Sequence, residues 1–262
     1  MLLKCKVKRR LAGKFVGVGV GPGDPDLITV KAVKTLKTAD VISIPKAHEN
    51  KPSLALATVK HILKERETPP EVLELVFPMT KDKKELKRSW SENARIIAEK
   101  AKTGKTIAFV TLGDPMFYST FIYLCQRMKE EHPEVNLEII PGVTSLTACA
   151  AVSKIPLAEK NEVVTIIPSG IDSNRIGELA KHANSLVLLK GSKRLKKLVP
   201  VLEKSGFTKD STIALVRRGT MPEEKVTIGR LGDVKNWDIH EDYFSISIIK
   251  ETELQNNKED KE

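Results

Sequence analysis

The stretch Gly17-Val18-Gly19-Val20-Gly21-Pro22-Gly23-Asp24-Pro25 constrains this chain more than any other. It follows a short apolar run, Phe15 to Val18, and precedes an amphipathic segment, Thr29 to Ala39. The order is strand, glycine-rich loop, helix. Glycine lacks a Cβ and tolerates positive φ, so such a loop lets backbone come close to a ligand. The obvious ligand is a dinucleotide, and the letters argue against it. A G-x-G-x-x-G frame started at Gly17 ends on Pro22; started at Gly19 it ends on Asp24. A Walker A loop is absent too. The G-K-T at Gly104-Lys105-Thr106 has Glu99 where the first glycine belongs, and it precedes a strand instead of following one. The loop therefore binds by another geometry.

Periodicity predicts strands at Lys14–Val20, Val41–Ile44, Leu73–Phe77, Thr106–Thr111 and Leu137–Ile140. Helices are expected at Thr29–Thr38, Ser53–Lys64, Lys83–Thr103 and Phe117–Glu131. The third carries Leu86, Trp90, Ala94, Ile97 and Ala101 on one stripe, with Gly104 placed to end it. This alternation argues an α/β domain with a mainly parallel sheet and helices on both faces. Pro141-Gly142 breaks the pattern, which sets an N-terminal α/β domain at 13–140 and a C-terminal one at 141–251. Thr144 or Ser145 is placed to cap a helix through about Val152, and Pro156 stops it.

The second domain reads as strand Val163–Ile167, helix Arg175–His182, strand Ser185–Leu189, helix Lys193–Lys204 and strand Thr212–Arg217. Two more strands follow, Lys225–Arg230 and Tyr243–Ile249. Consecutive strands without a helix between them imply antiparallel pairing, hence a mixed sheet. Residues 1–12 read as a basic lead and 252–262 as a disordered tail.

Composition narrows the function classes. No apolar run approaches the ~20 residues of a membrane helix, and the basic first ten residues precede only a short, glycine-broken apolar run. Neither a membrane partner nor a signal peptide is expected. Three widely spaced cysteines, Cys5, Cys125 and Cys149, suggest free thiols in a reducing cytoplasm. The five histidines are scattered, so no protein-held metal is expected. The net charge of +10 fits either a polyanionic partner or a solvated basic surface. With 5% aromatic residues and no basic run interleaved with them, a single-strand nucleic-acid groove is disfavoured.

In open α/β sheets ligands sit at the carboxyl ends of the strands. Four unusual loops fall there: Gly21–Pro25, Leu112-Gly113-Asp114-Pro115-Met116-Phe117-Tyr118, Pro141-Gly142-Val143-Thr144-Ser145, and Lys190-Gly191-Ser192. Each is also readable as plain architecture. Asp114 serves as a turn or cap residue, Pro141-Gly142 as a domain junction and Lys190 as a rim lysine. Taken together they offer many backbone donors and acceptors and little fixed charge. That suits a neutral or zwitterionic cofactor better than a triphosphate.

These same residues make the chain recognisable. It resembles the tetrapyrrole methylase family from about Gly13 to Ile249. The match rests on Val18–Pro25 with Leu27-Ile28-Thr29, on Ala39-Asp40-Val41-Ile42, on Gly113-Asp114-Pro115, on Pro141–Ser145 and on Ile155-Pro156-Leu157. Within the family it is most similar to the precorrin-2 C20-methyltransferases. That likeness rests on Ser43-Ile44-Pro45-Lys46, Ser53-Leu54-Ala55, Phe77-Pro78-Met79-Thr80 and Gly113–Leu124. The family's uroporphyrinogen-III methylases carry a Tyr-Asp pair after the second strand; Ile44-Pro45 stands there instead.

The resemblance implies two α/β domains with S-adenosylmethionine in the cleft between them, commonly as a homodimer. The cofactor contacts it implies are Pro22, Leu112, Gly113, Asp114, Phe117, Thr144, Ser145, Lys190 and Gly219. It implies methylation of a polycarboxylate tetrapyrrole at the C20 meso carbon, with any cobalt arriving in the substrate. Lys46 and Tyr118 are the candidate substrate contacts; Lys81, Lys83, Arg217 and Arg218 are further candidates for its carboxylates. Tyr118, Tyr123 and His48 are candidates for a base, and spacing does not choose among them. An RNA ribose methylase of the same superfamily would show a Thr-Pro-Ile-Gly-Asn-type first loop, which this chain lacks. A non-enzymatic tetrapyrrole carrier would have no reason to keep four cofactor loops.

Overall fold

The computed structural model describes residues 13–46 and 53–253. They divide into two compact units, the first ending at Thr144 and the second beginning at Ser145. The basic lead, His48 and residues 254–262 of the expected tail lie outside the described residues.

The first unit holds β1 (Lys14–Gly19), α1 (Val30–Thr38), β2 (Val41–Lys46), α2 (Leu54–Lys64), β3 (Glu71–Val76), α3 (Lys83–Lys102), β4 (Thr106–Thr111), α4 (Phe121–Glu131) and β5 (Asn136–Ile140). The strands lie in the order β3-β2-β4-β1-β5 and pair in parallel throughout. Successive strand residues point to opposite faces, and both faces are apolar. Phe15, Val41, Ile107 and Phe109 meet Ala94, Ile97, Leu124 and Met128 of α3 and α4. Val16, Val18, Ile42, Ala108 and Val110 meet Ala32, Leu36, Val59 and Ile62 of α1 and α2. Gly17 belongs to the first face: a Cβ there would lie 2.2 Å from the Phe121 ring. That glycine makes room for a core phenylalanine, not for a ligand.

Local signals set the helix starts. Thr29 Oγ1 accepts from Ala32 N at 3.3 Å and Ser53 Oγ from Leu56 N at 3.3 Å. Asp82 accepts from Lys84 N at 2.8 Å to open α3. Asp40 does different work at the opposite end of the strands. Its Oδ2 accepts from Thr106 N at 2.7 Å, tying the start of β2 to the start of β4. Helix α4 begins at Phe121, four residues later than periodicity predicts. Tyr118 sits at φ 49°, a left-handed conformation that interrupts a helix. The Ser119 hydroxyl, 3.0 Å from Thr111 Oγ1, accepts from Phe121 N at 3.2 Å and sets the true entry. Phe117 and Tyr118 therefore stand in the loop.

The second unit runs α5 (Ser145–Ser153), β6 (Val164–Ile167), α6 (Ser173–Ala180), β7 (Ser185–Leu189), α7 (Leu195–Glu203), β8 (Ser211–Arg217), β9 (Lys225–Arg230) and β10 (Ser245–Glu253). Its sheet is mixed, in the order β6-β7-β10-β8-β9, with only β6–β7 parallel. The last strand starts two residues later than expected. Asp242 forms a turn in which Phe244 N donates to its Oδ1 at 2.9 Å and Ser245 Oγ to its carbonyl at 2.7 Å. The strand also continues two residues into the segment read as tail. A 3-10 segment at Leu231–Asn236 has no counterpart in the periodicity; it buries Leu231 and Val234 against the α6/α7 side of the sheet.

No helix of the described residues is long and apolar enough to cross a membrane. Cys125 and Cys149 are buried free thiols. Burial pushes the Cys149 thiol up to about 12, with Glu224 adding to it, and raises Cys125 as well. At pH 8 a thiol of that pKa is ionised to only about one part in 10⁴. A C5S variant should therefore stay unlabelled by a thiol reagent at pH 8 until denaturant is added, when two thiols react. Labelling of the native protein at a rate typical of an exposed thiol would contradict this.

Candidate functional site

Three loops leave the carboxyl ends of β1, β4 and β5, and short backbone contacts lock them together. Gly113 N donates to Gly21 O at 2.7 Å, an isolated bridge beyond the ends of β1 and β4. A Cβ on Gly19 would lie 2.6 Å from both Gly113 O and Gly142 N. A Cβ on Gly142 would lie 2.2 Å from Gly113 O and 2.9 Å from the Gly19 backbone. These glycines let three loops touch each other. Asp114 closes the arrangement: its Oδ1 accepts from Met116 N at 2.8 Å and its Oδ2 from Gly142 N at 3.0 Å. One carboxylate thus folds its own loop and pins the loop after β5.

Gly113 leaves an open side. It sits at φ 69°, and nothing lies within 4 Å of where its Cβ would stand. Pro22 is buried beside Gly21, which is at φ 76°. Leu112 packs its side chain into the α1/α2 core, so it presents main chain to the loop. Phe117 is half-buried and meets Tyr118 edge-on, with centroids 4.8 Å apart. Thr144 is half-buried at the end of the first unit. The structure therefore brings Pro22, Leu112, Gly113, Asp114 and Phe117 to one end of one sheet.

Lys46 ends β2 at that same edge. Its Nζ lies 2.7 Å from Glu74 Oε2 and its side chain is 13% exposed. Lys81 and Lys83 are exposed at the start of α3. Tyr123 lies on α4 and stacks flat on Trp90 of α3, with centroids 4.3 Å apart and planes 4° apart. Its ring is thus a helix–helix contact.

In the second unit, Ser145 is the exposed first residue of α5. Gly219 follows β8, and a Cβ there would lie 2.9 Å from Cys149 Sγ and 3.0 Å from Val216 Cγ1. Its small size serves the packing of that loop on α5. Lys190 leaves β7 at φ 55°, donates its N–H to Ser245 O at 2.8 Å and holds its ammonium 4.0 Å over the Tyr243 ring, bonded to the phenol oxygen. Arg218, at φ 51°, donates to Asp242 Oδ2 at 2.9 Å. Burial opposes ionisation of Asp242, but the hydrogen bonds from Arg218 and Phe244 and the charges of Arg218 and Arg217 outweigh it and hold the carboxyl below its usual range. Arg218 is thus largely neutralised within its own unit. Among the described residues no cluster of three or more His, Cys, Asp or Glu is placed to hold a metal ion.

Residues 14–235 match the profile of the tetrapyrrole (corrin/porphyrin) methylases. The chain belongs to the tetrapyrrole methylase family. It is 38% identical over 241 residues to the probable cobalt-precorrin-2 C(20)-methyltransferase of Methanocaldococcus jannaschii, covering 92% of this chain and 97% of that relative. It is 36% identical over 213 residues to the cobalt-precorrin-2 C(20)-methyltransferase of Salmonella typhimurium, covering 81% and 86%. Among solved structures, the cobalt precorrin-4 methyltransferase CbiF superposes with a TM-score of 0.68 at 25% identity, over 94% of this chain and 98% of that one. A Thermus thermophilus uroporphyrin-III C-methyl transferase solved with S-adenyl homocysteine superposes at 0.65 and 22% identity, over 91% and 92%, a likeness of fold.

The family signatures acquire distinct physical jobs here. The first loop and Gly113-Asp114 form the knot and its opening, whereas Asp40 and Thr29 build the sheet and α1. The roles of Gly19 and Gly142 as mutual spacers, and of Ser119 as the start of α4, were not read from the sequence. A glycine at or just past a strand end is the signal that could have found the first two; nothing in the letters marks Ser119.

Proposed function

We propose that this chain transfers a methyl group from S-adenosylmethionine to the C20 meso carbon of precorrin-2 or cobalt-precorrin-2, in construction of the corrin ring. The observation that carries this reading is the match, across most of both chains, to two relatives bearing that activity in their names. The site agrees with it in kind. A zwitterionic sulfonium nucleoside needs hydrogen-bonding main chain and little competing charge, and the open side of Gly113 is compatible with that: no atom lies within 4 Å of where its Cβ would stand, and the neighbouring Asp114 carboxylate is already committed to N–H groups.

When bound, the donor supplies an already activated methyl group. The protein's task is then alignment, which is worth roughly 7–11 kcal/mol when both reactants are held in line. Pro22, the main chain of Leu112–Asp114 and Phe117 hold the donor in this reading; the Asp114 carboxylate keeps the loop from relaxing. Lys46 faces a carboxylate group of the macrocycle while Glu74 holds its ammonium at the end of β2. The enzyme works in the cytoplasm as a homodimer.

The test is mass spectrometry of a reaction with precorrin-2, with and without cobalt. A product heavier by one methylene in one arm identifies the substrate; no such product in either arm removes the assignment. Lys46→Met should raise the substrate KM about tenfold, the size of one charge-assisted contact, and leave donor affinity unchanged. An unaltered KM would place Lys46 outside the substrate site.

A further inference from the structure

From Ile107 to Val110 strand β4 is apolar and fully buried; it then ends on Thr111, a polar residue only 9% exposed. The loop that follows ends on Ser119, 8% exposed. The two hydroxyls meet at 3.0 Å in the interior. We propose that this hydroxyl pair is a latch that sets the Leu112–Gly113 peptide, which makes Thr111 and Ser119 positioning residues for the methyl donor. Their role rests on the proposal above that the open side of Gly113 takes the donor, and it adds what holds that peptide in place.

A hydroxyl taken out of water is unfavourable unless it is hydrogen-bonded. Valine at 111 and alanine at 119 would serve better if packing were the whole requirement. The bonds of the pair run in one direction. Phe121 N donates to Ser119 Oγ at 3.2 Å. Thr111 Oγ1 stands 3.5 Å from Leu112 O, which is its acceptor. A hydroxyl has one proton to give. With the Thr111 proton directed at Leu112 O, the Ser119 proton lies between the two hydroxyl oxygens. The chain of donation then runs from Phe121 N–H through Ser119 O–H and Thr111 O–H to Leu112 O. It links the first turn of α4 to the carbonyl just before Gly113.

The same peptide is gripped from its other side. Its N–H, on Gly113, donates to Gly21 O at 2.7 Å. A peptide group is planar, so one bond at its N–H and another at its carbonyl fix its tilt. That tilt sets the direction in which Gly113, at φ 69°, presents its open side. The base of the latch is itself anchored, because Val20 N donates to Thr111 O at 3.0 Å beyond the end of β1. Tyr118, at φ 49°, breaks any helical backbone between the loop and α4, so side chains make the closure. Asp114 acts on the far part of the loop through Met116 and Gly142, and the latch acts on the near part. Capping α4 alone would use the Ser119–Phe121 bond and would need no hydroxyl at 111.

The experiment compares Thr111→Val, Thr111→Ser, Ser119→Ala and the double variant Thr111→Val with Ser119→Ala in the full-length protein. Calorimetry reads S-adenosylhomocysteine affinity, and hydrogen exchange followed by mass spectrometry reads the segment 112–118. Thr111→Val keeps the shape of the side chain and removes its hydroxyl. It should weaken S-adenosylhomocysteine binding about fivefold to tenfold, and Ser119→Ala should do so by a similar factor. Thr111→Ser, which restores the hydroxyl, should bind within about twofold of the parent. The double variant should bind within about twofold of the weaker single variant, because the two hydroxyls form one link. Exchange across 112–118 should quicken in both single variants. Parent-like affinity in Thr111→Val overturns the proposal even if the melting temperature falls, since that is the behaviour of a plain core bond. Losses that multiply in the double variant overturn it too, because they would belong to two independent residues. If Thr111→Val does not fold, Ser119→Ala decides: weaker binding with faster exchange upholds the latch, and parent-like binding removes it. A parent that binds S-adenosylhomocysteine while its variants bind equally well keeps the donor reading and loses the latch. A parent without affinity for S-adenosylhomocysteine loses the donor reading itself.

Discussion

Gly142→Ala is expected to abolish tight binding of the methyl donor and to lower the melting temperature at the same time. The new Cβ would stand 2.2 Å from Gly113 O and 2.9 Å from the Cα and C of Gly19. Every one of those atoms is main chain, so no flexible side chain can swing aside. Relief requires the loops after β1, β4 and β5 to separate. That separation breaks the Gly142 N–Asp114 Oδ2 bond and displaces Gly113 from its position against Gly21. Overpacking of this kind costs about 1–3 kcal/mol. Binding should suffer more, because donor contacts depend on where Gly113 stands. Calorimetric titration with S-adenosylhomocysteine should show affinity down by about tenfold or more.

Gly113→Ala is the informative companion. The space beside it is open, so its stability loss should be limited to the strain of an alanine at φ 69°, about 1 kcal/mol. Its methyl group would nevertheless occupy the gap proposed for the donor. Lost affinity with little lost stability in Gly113→Ala, beside loss of both in Gly142→Ala, supports the gap as the donor site. Wild-type affinity in Gly113→Ala would move the donor elsewhere.

Much of this architecture was legible because it depends on pattern. Strand and helix alternation fixes a doubly covered parallel sheet, since runs such as Phe15–Val18 and Ile107–Val110 are apolar on both faces. The mixed second sheet followed from strands without intervening helices. What pattern misses is decided by single contacts. Tyr118 falls inside the helix expected over Phe117–Glu131, yet a left-handed backbone and the Ser119 hydroxyl start α4 four residues later. Glycine in the first loop reads as room for a ligand. In space, Gly17 makes room for Phe121 and Gly19 for two other loops, whereas Gly113 keeps an open side. The Asp242 turn likewise delays β10, a side-chain bond that no periodicity records. In the structure Lys46 and Arg218 already have acidic partners, so net charge overstated what they could offer an anion.

Asp114 tests whether the donor loop is held or merely decorated by its carboxylate. Both oxygens are engaged, one by Met116 N at 2.8 Å and the other by Gly142 N at 3.0 Å. Asp114→Ala strands two N–H groups: the exposed one on Met116 can turn to water, while the partly buried one on Gly142 costs about 1–3 kcal/mol. The loops after β4 and β5 are then joined by one link fewer, and the main chain at Gly113 is free to drift. S-adenosylhomocysteine affinity should fall about tenfold or more, with a lower melting temperature. Asp114→Asn separates positioning from direct contact. Its carbonyl oxygen can accept one of the two N–H groups while its amide nitrogen faces the other, so both stability and affinity should fall between parent and alanine variant. A carboxylate that touched the donor through its charge would behave otherwise: asparagine would lose as much affinity as alanine and keep the parent's melting temperature. Graded losses of stability and affinity in parallel identify Asp114 as the clip that holds the donor loop in shape.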